Sequence, residues 1–182
     1  MSLPPLSSPA GPLVIMGSAR ADGDTRRLLD AVLAGSPHTF IDLLDFSVAP
    51  YSYQQNYPTH DDFPRLANLL LQHPVVVFAT PVYWYSMSGA LKNFFDRLTD
   101  LTTTHKLLGR QLAGKHVFLA AIGSDPELPE GFEVPFKLTA EYFDMLFEGT
   151  FYSSTEQPLA PAEAQRFGHR IASVVAAYPF RP

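Results

Sequence analysis

The run VVVFAT, residues 75–80, carries no charge and stops at Pro81. Its side chains are apolar at nearly every position, so alternation between two faces leaves neither face for water. A strand of this kind belongs inside a sheet covered on both sides, and parallel sheets supply that setting. Two further runs behave the same way: LVIMGS at 13–18, and HVFLAAIGS at 116–124. Shorter strands are predicted over 39–45 (TFIDLLD) and 150–154 (TFYSS).

Between these runs the apolar spacing changes from two to about 3.6 residues, the period of a helix with one buried stripe. Helices are predicted over 25–33, 63–73, 88–98, 136–147 and 161–177, the last with Pro161 in its first turn. Strands and helices alternate with no internal repeat. The expected fold is therefore a three-layer α/β/α sandwich around a five-stranded parallel sheet. A single domain over 12–182 is expected, preceded by a loose tail at 1–11. Parallel sheets bind ligands beyond the carboxyl ends of their strands. The loops that follow the first, third and fourth strands are the places to look.

The first of these loops is GSARADGDT, residues 17–25. A helix start presents unpaired N–H groups and the positive end of its dipole. Ser18 and Thr25 add hydroxyls, and Arg20 adds a planar cation suited to phosphate oxygens. Gly17 and Gly23 permit close approach. An anion site and a plain capped turn both fit, and the arginine with two hydroxyls favours the anion. The lysine of a P-loop is missing, as is the third glycine of a dinucleotide loop. A nucleotide monophosphate suits this loop better than a longer phosphate chain.

The loop after the third strand opens TPVYWYSMSGALKNFFDR, residues 80–97. Tyr83, Trp84 and Tyr85 are consecutive and cannot all face the core. They suit the flanks of a flat ring system, or an oligomer contact. The fourth loop brings Gly123 and Ser124, followed by a proline-rich, acidic segment at 125–135.

Composition narrows the classes. Hydrophobic residues make up 46% and charged residues 17% of the 182, a balance that folds rather than staying disordered. The net charge of −5 argues against nucleic acid or an anionic membrane as partner. With no cysteine, thiol catalysis, disulfides and cysteine-held clusters are excluded. The six histidines are scattered without a metal-ligand spacing, and no metal is expected. The opening MSLPPLSSPAGP does not read as a secretory signal, so a cytoplasmic protein is the expectation.

Two motifs give this chain a resemblance to the NAD(P)H-dependent FMN reductase family of the flavodoxin-like superfamily. GSARADGDT resembles that family's GSxRxxGxT loop, and TPVYWYSMSGALKNFFDR resembles its TPxYxxSxxGxLKNFxDR segment. The resemblance implies the flavodoxin-like strand order 2-1-3-4-5 and bound FMN, with NAD(P)H as co-substrate. It implies Ser18, Arg20, Asp24 and Thr25 around the FMN phosphate, Asp24 mainly through its backbone N–H. Pro81, Val82, Tyr83, Trp84 and Tyr85 would line the flavin, and Gly123 and Ser124 would approach it. Electrons would pass from NAD(P)H through the flavin to a quinone, free flavin, metal ion or nitro/azo compound. No catalytic side chain is expected, because hydride transfer between stacked rings needs none. A homodimer or homotetramer is expected, with the Tyr51/Tyr53/Tyr57 loop as one contact. The alternatives are a flavodoxin-like electron carrier without NAD(P)H turnover of its own, and a cofactor-free α/β protein.

Overall fold

A computed structural model of the chain describes residues 11–178. Five parallel strands form one sheet in the order β2-β1-β3-β4-β5. They are β1 (Leu13–Met16), β2 (Thr39–Asp42), β3 (Val75–Pro81), β4 (His116–Gly123) and β5 (Leu146–Ser154). The helices are α1 (Asp24–Val32), α2 (Phe63–Gln72), α3 (Gly89–Arg97), α4 (Lys106–Gly109), α5 (Val134–Tyr142) and α6 (Pro161–Ala177). The chain has the flavodoxin-like α/β/α order expected of it.

The continuous apolar runs are buried on both faces. Val14, Met16, Val77, Ala79, Phe118 and Ala120 meet Leu28, Leu29 and Val32 of α1 and Ala164, Phe167 and Ile171 of α6. Their neighbours Leu13, Ile15, Val76, Phe78, Val117 and Leu119 meet α2, α3 and α5 on the other side. Phe94 of α3, fully buried, packs against Phe63 and Phe78. Removing a side chain of this kind from water stabilises the fold by about 1.5–3 kcal/mol. Gly168 brings α6 hard against α1, since a Cβ there would lie 2.0 Å from the Val32 carbonyl oxygen.

Several boundaries differ from the sequence expectation, each for a local reason. The second strand ends at Asp42, whose carboxylate accepts from the Leu44 N–H and turns 43–45 into a 3-10 turn. The fifth helix starts earlier, at Val134, and stops at Tyr142 instead of 147. Asp144 is in the left-handed region (φ 55°), which ends the helix and feeds β5. β5 itself starts four residues before the predicted 150. Its register against β4 shifts between Val117 and Phe118, so Glu148 is an extra residue beside Gly149 at φ 114°. That bulge cuts Leu146 and Phe147 off from the rest of the strand, and in sequence they read as the end of the preceding helix. The short helix α4 has too few residues to show a periodicity.

Residues 1–10 of the expected tail, and 179–182 of the expected domain, lie outside the described residues. Gly11 is buried, and a Cβ on it would come within 1.8 Å of the Pro37 carbonyl oxygen, so it belongs to the packed body. Among the described residues no helix is long and apolar enough to cross a membrane.

Candidate active site

Three loops meet at the carboxyl edge of β1, β3 and β4. The first begins as Gly17 extends the β1 ladder, its N–H donating to the Ala79 carbonyl at 2.9 Å. Ser18 and Thr25 are buried, while the Arg20 side chain is two-thirds exposed. Gly23 precedes α1 with no side-chain cap on the helix. Among the described residues nothing accepts from the Asp24 or Thr25 N–H, whereas Arg26 and Arg27 both donate to the Gly23 carbonyl. The loop thus combines open donors, a helix dipole, two hydroxyls and a cation, the requirements of an anion site. The Asp24 carboxylate faces outward and holds Arg20 at 3.3 Å and Arg27 at 2.8 Å.

The second loop has an unusual backbone. The Tyr83 N–H donates to the Ser86 carbonyl at 2.9 Å and the Ser86 N–H returns the bond at 3.1 Å. Between them Trp84 (φ 49°) and Tyr85 (φ 62°) are both left-handed, the geometry of a type I′ turn. Glycine and asparagine normally occupy these positions, and an aromatic there costs about 1–2 kcal/mol per residue. The turn throws its aromatics outward: Trp84 is 93% and Tyr85 68% exposed. Pro81 is buried and Val82 half-buried, and the Val82 N–H is taken by the Ile122 carbonyl at 2.7 Å.

The third loop crosses close to the second. A Cβ on Gly123 would lie 2.9 Å from the Tyr152 hydroxyl and 3.0 Å from Val82 Cβ, so only glycine fits without a shift. Ser124 is exposed, and its carbonyl accepts from Ser154 Oγ at 3.1 Å. Beyond it, Tyr85 and the segment 125–130 border an open cleft of about 500 Å³.

Ser88, at the start of α3, joins two of the loops. Its buried hydroxyl accepts from the Leu91 N–H at 3.2 Å, capping α3, and donates to the Gly17 carbonyl at 2.7 Å. Thr80 sets it in place by accepting from the Ser88 N–H at 3.0 Å. Gly17 allows this approach, because a Cβ there would meet Leu91 Cβ at 2.6 Å. Tyr152 lies outside the sequence reading of the site, and its hydroxyl donates to the Asp125 carbonyl at 2.7 Å.

A separate cavity of about 340 Å³ lies between α2, α3 and α4 and shares no lining residue with this edge. On its wall the buried Arg97 donates to both Asp61 oxygens (2.9 and 2.8 Å), to Asp100 and to the Ala49 carbonyl. The Tyr57 ring lies 3.5 Å from its guanidinium carbon, and the Tyr57 hydroxyl bonds Asp100. Burial alone would lift the Asp61 carboxyl, but the Arg97 bonds prevail and hold it below its usual value. Tyr57 is therefore committed to its own chain, and the loop 46–62 is pinned to α3 rather than loose. Tyr53 remains 88% exposed beside Tyr51.

A family model described as NADPH-dependent FMN reductase matches residues 13–128, which hold the first two loops and β4. The chain belongs to that family. Among curated relatives of this NADPH-dependent FMN reductase family member, YwqN of Bacillus subtilis (strain 168) is 27% identical over 154 residues. The alignment covers 80% of this chain and 85% of YwqN, which is provisionally named a NAD(P)H-dependent FMN-containing oxidoreductase. The glutathione-regulated potassium-efflux system ancillary protein KefG of Enterobacter sp. (strain 638) is 31% identical over 129 residues, covering 63% of this chain and 70% of KefG. Among solved structures, the Trp repressor binding protein from Bacillus subtilis superposes with a TM-score of 0.64 at 25% identity, over 93% of this chain and 99% of that one. Membership makes the chain an NAD(P)H-dependent oxidoreductase with FMN as its flavin.

Proposed function

We propose that the carboxyl edge holds FMN with its phosphate in the first loop and its ring system against the second and third. Ser18 and Thr25 hydroxyls, the open N–H groups of Asp24 and Thr25 and the Arg20 guanidinium would bind the phosphate. Pro81, Val82, Tyr83, Trp84 and Tyr85 would border the ring on one side, and Gly123 and Ser124 on the other. The open helix start at Asp24 and Thr25, beside two buried hydroxyls, is the observation that carries this fit.

Bound FMN supplies the two-electron chemistry. The protein supplies placement: a fixed phosphate anchor, a glycine-lined approach at Gly123 and an exposed aromatic surface where a flat acceptor can rest. The overall exchange takes one hydride from NAD(P)H and one proton from water to a quinone, leaving NAD(P)+ and hydroquinone. Free flavins and nitro or azo compounds fit the same surface. Two or four copies of the chain form the working assembly, with Tyr51 and Tyr53 rather than Tyr57 available to a neighbour.

The test is the visible spectrum of the purified protein, followed by NADH and NADPH oxidation with menadione. Flavin absorbance and acceptor-dependent turnover are expected. A protein that takes up no FMN overturns the reading, and one that binds FMN without oxidising either nicotinamide is the flavodoxin-like carrier instead.

A further inference from the structure

The cleft beside the type I′ turn has a chemistry of its own. One wall is Tyr85, with Trp84 standing free next to it. The other wall is the segment 125–130, which contributes Asp125, Glu127 and Glu130, all exposed. No basic side chain lines the cleft. Among the described residues none of these three carboxylates has an ion-pair partner, whereas the cations Arg20 and Arg27 share Asp24, Arg26 pairs with Asp30 and Lys92 with Asp96.

The acidic wall is also held in place. Tyr152 fixes it at the Asp125 carbonyl, and the Phe132 N–H bonds the Pro129 carbonyl at 3.1 Å with Phe132 itself buried. Pro126 and Pro129 restrict the backbone between those anchors. The backbone that carries the three carboxylates is therefore set before a ligand arrives. A cleft lined by one sign of charge focuses its field and enriches counter-ions by about 10- to 1,000-fold. An indole face attracts cations as well, and a planar one can also stack on it.

We propose that the cleft between the Tyr83–Ser86 turn and the segment 125–130 selects flat aromatic electron acceptors that carry positive charge and disfavours anionic ones. Tyr85, with the free Trp84 beside it in the turn, supplies the stacking surface, and Asp125, Glu127 and Glu130 form the charge filter. As a statement about electron acceptors it rests on the reductase reading above. As a statement about binding it can be tested apart from that reading.

The chain has one tryptophan, so its emission reports on position 84 alone. Quenching is followed at low ionic strength, with and without FMN, for methylene blue (a flat cation), anthraquinone-2-sulfonate (a flat anion) and menadione (neutral). Methylene blue should bind at least about tenfold more tightly than the sulfonate. The gap should close in high salt and in the variant Asp125→Asn/Glu127→Gln/Glu130→Gln, whose exposed substitutions leave the thermal melt unchanged. Equal affinity for the two charged probes overturns the proposal, as does a gap that persists in the triple variant. If the protein binds no FMN, the reductase reading fails while the quenching still decides whether the charge filter exists.

Discussion

The Ser88 hydroxyl donates to the Gly17 carbonyl at 2.7 Å, across 71 positions of sequence. One atom thereby caps α3 and couples the loop after β1 to the loop after β3. The spacing between the proposed phosphate anchor and the aromatic turn is set by this bond and by the Gly17–Leu91 approach. Ser88→Ala should remove the cap, at about 1 kcal/mol, and leave the Gly17 carbonyl short of a donor, at about 1 kcal/mol more. Urea denaturation should read the sum, and FMN affinity should fall in the same variant. Unchanged FMN affinity in a destabilised protein would show that the two loops are positioned independently.

Arg20 and Thr25 are proposed to act on the phosphate alone. Arg20→Ala and Thr25→Val should therefore weaken FMN and leave riboflavin, which lacks the phosphate, unaffected. A charged hydrogen bond contributes about 1.5–3 kcal/mol, so the FMN loss for Arg20→Ala should be about tenfold or greater. Titration of both flavins by fluorescence gives the ratio. Parallel weakening of the two would move the anion site elsewhere.

Trp84 and Tyr85 occupy backbone positions that suit asparagine and glycine. The double variant Trp84→Asn/Tyr85→Gly should gain stability, by about 1–2 kcal/mol for each strained residue relieved. Its flavin affinity should fall, because the aromatic border is gone. A thermal melt and an FMN titration on the same sample test both halves, and a loss of stability would show that the aromatics hold the turn together.

The Asp61–Arg97 pair predicts an acid dependence. The folded-state pKa of Asp61 lies below its unfolded value of 3.8. The pair's contribution is thus complete above that unfolded value and is lost as pH falls through the lower folded one. Asp61→Asn should cost about 3–5 kcal/mol near neutrality, since it leaves a buried guanidinium short of charge. The difference between parent and variant should shrink once the pH drops below about 4. Urea melts across that range check it, and a constant difference would mean that Asp61 is not ionised in the fold.

Much of this site could be read because its parts are contiguous in sequence. Ser18, Arg20 and Thr25 fall within one loop, and the strand before them is apolar without a break. The bonds that assemble the edge were not visible, since Gly17–Ser88 and Asp125–Tyr152 join residues far apart whose types carry no pairing signal. The type I′ turn was also hidden, because Trp-Tyr runs against the residue preferences by which such turns are found. β5 was half legible: Thr150, Phe151 and Tyr152 are residues that favour strands, but Glu148 and Gly149 break the run ahead of them. The charge of 125–130 was plain in the sequence, and what it faces depended on how the loop folds back toward Tyr85.

Gly168 seats α6 on the Val32 end of α1, whose other end opens the first loop. On the ribosome α1 is made early and α6 only after all five strands. Until then the helix behind the proposed phosphate loop lacks the neighbour that shares its face of the sheet. The helix that opens the first loop therefore gains its last packed neighbour only when α6 is complete, so the C-terminal segment decides when that loop's support is finished.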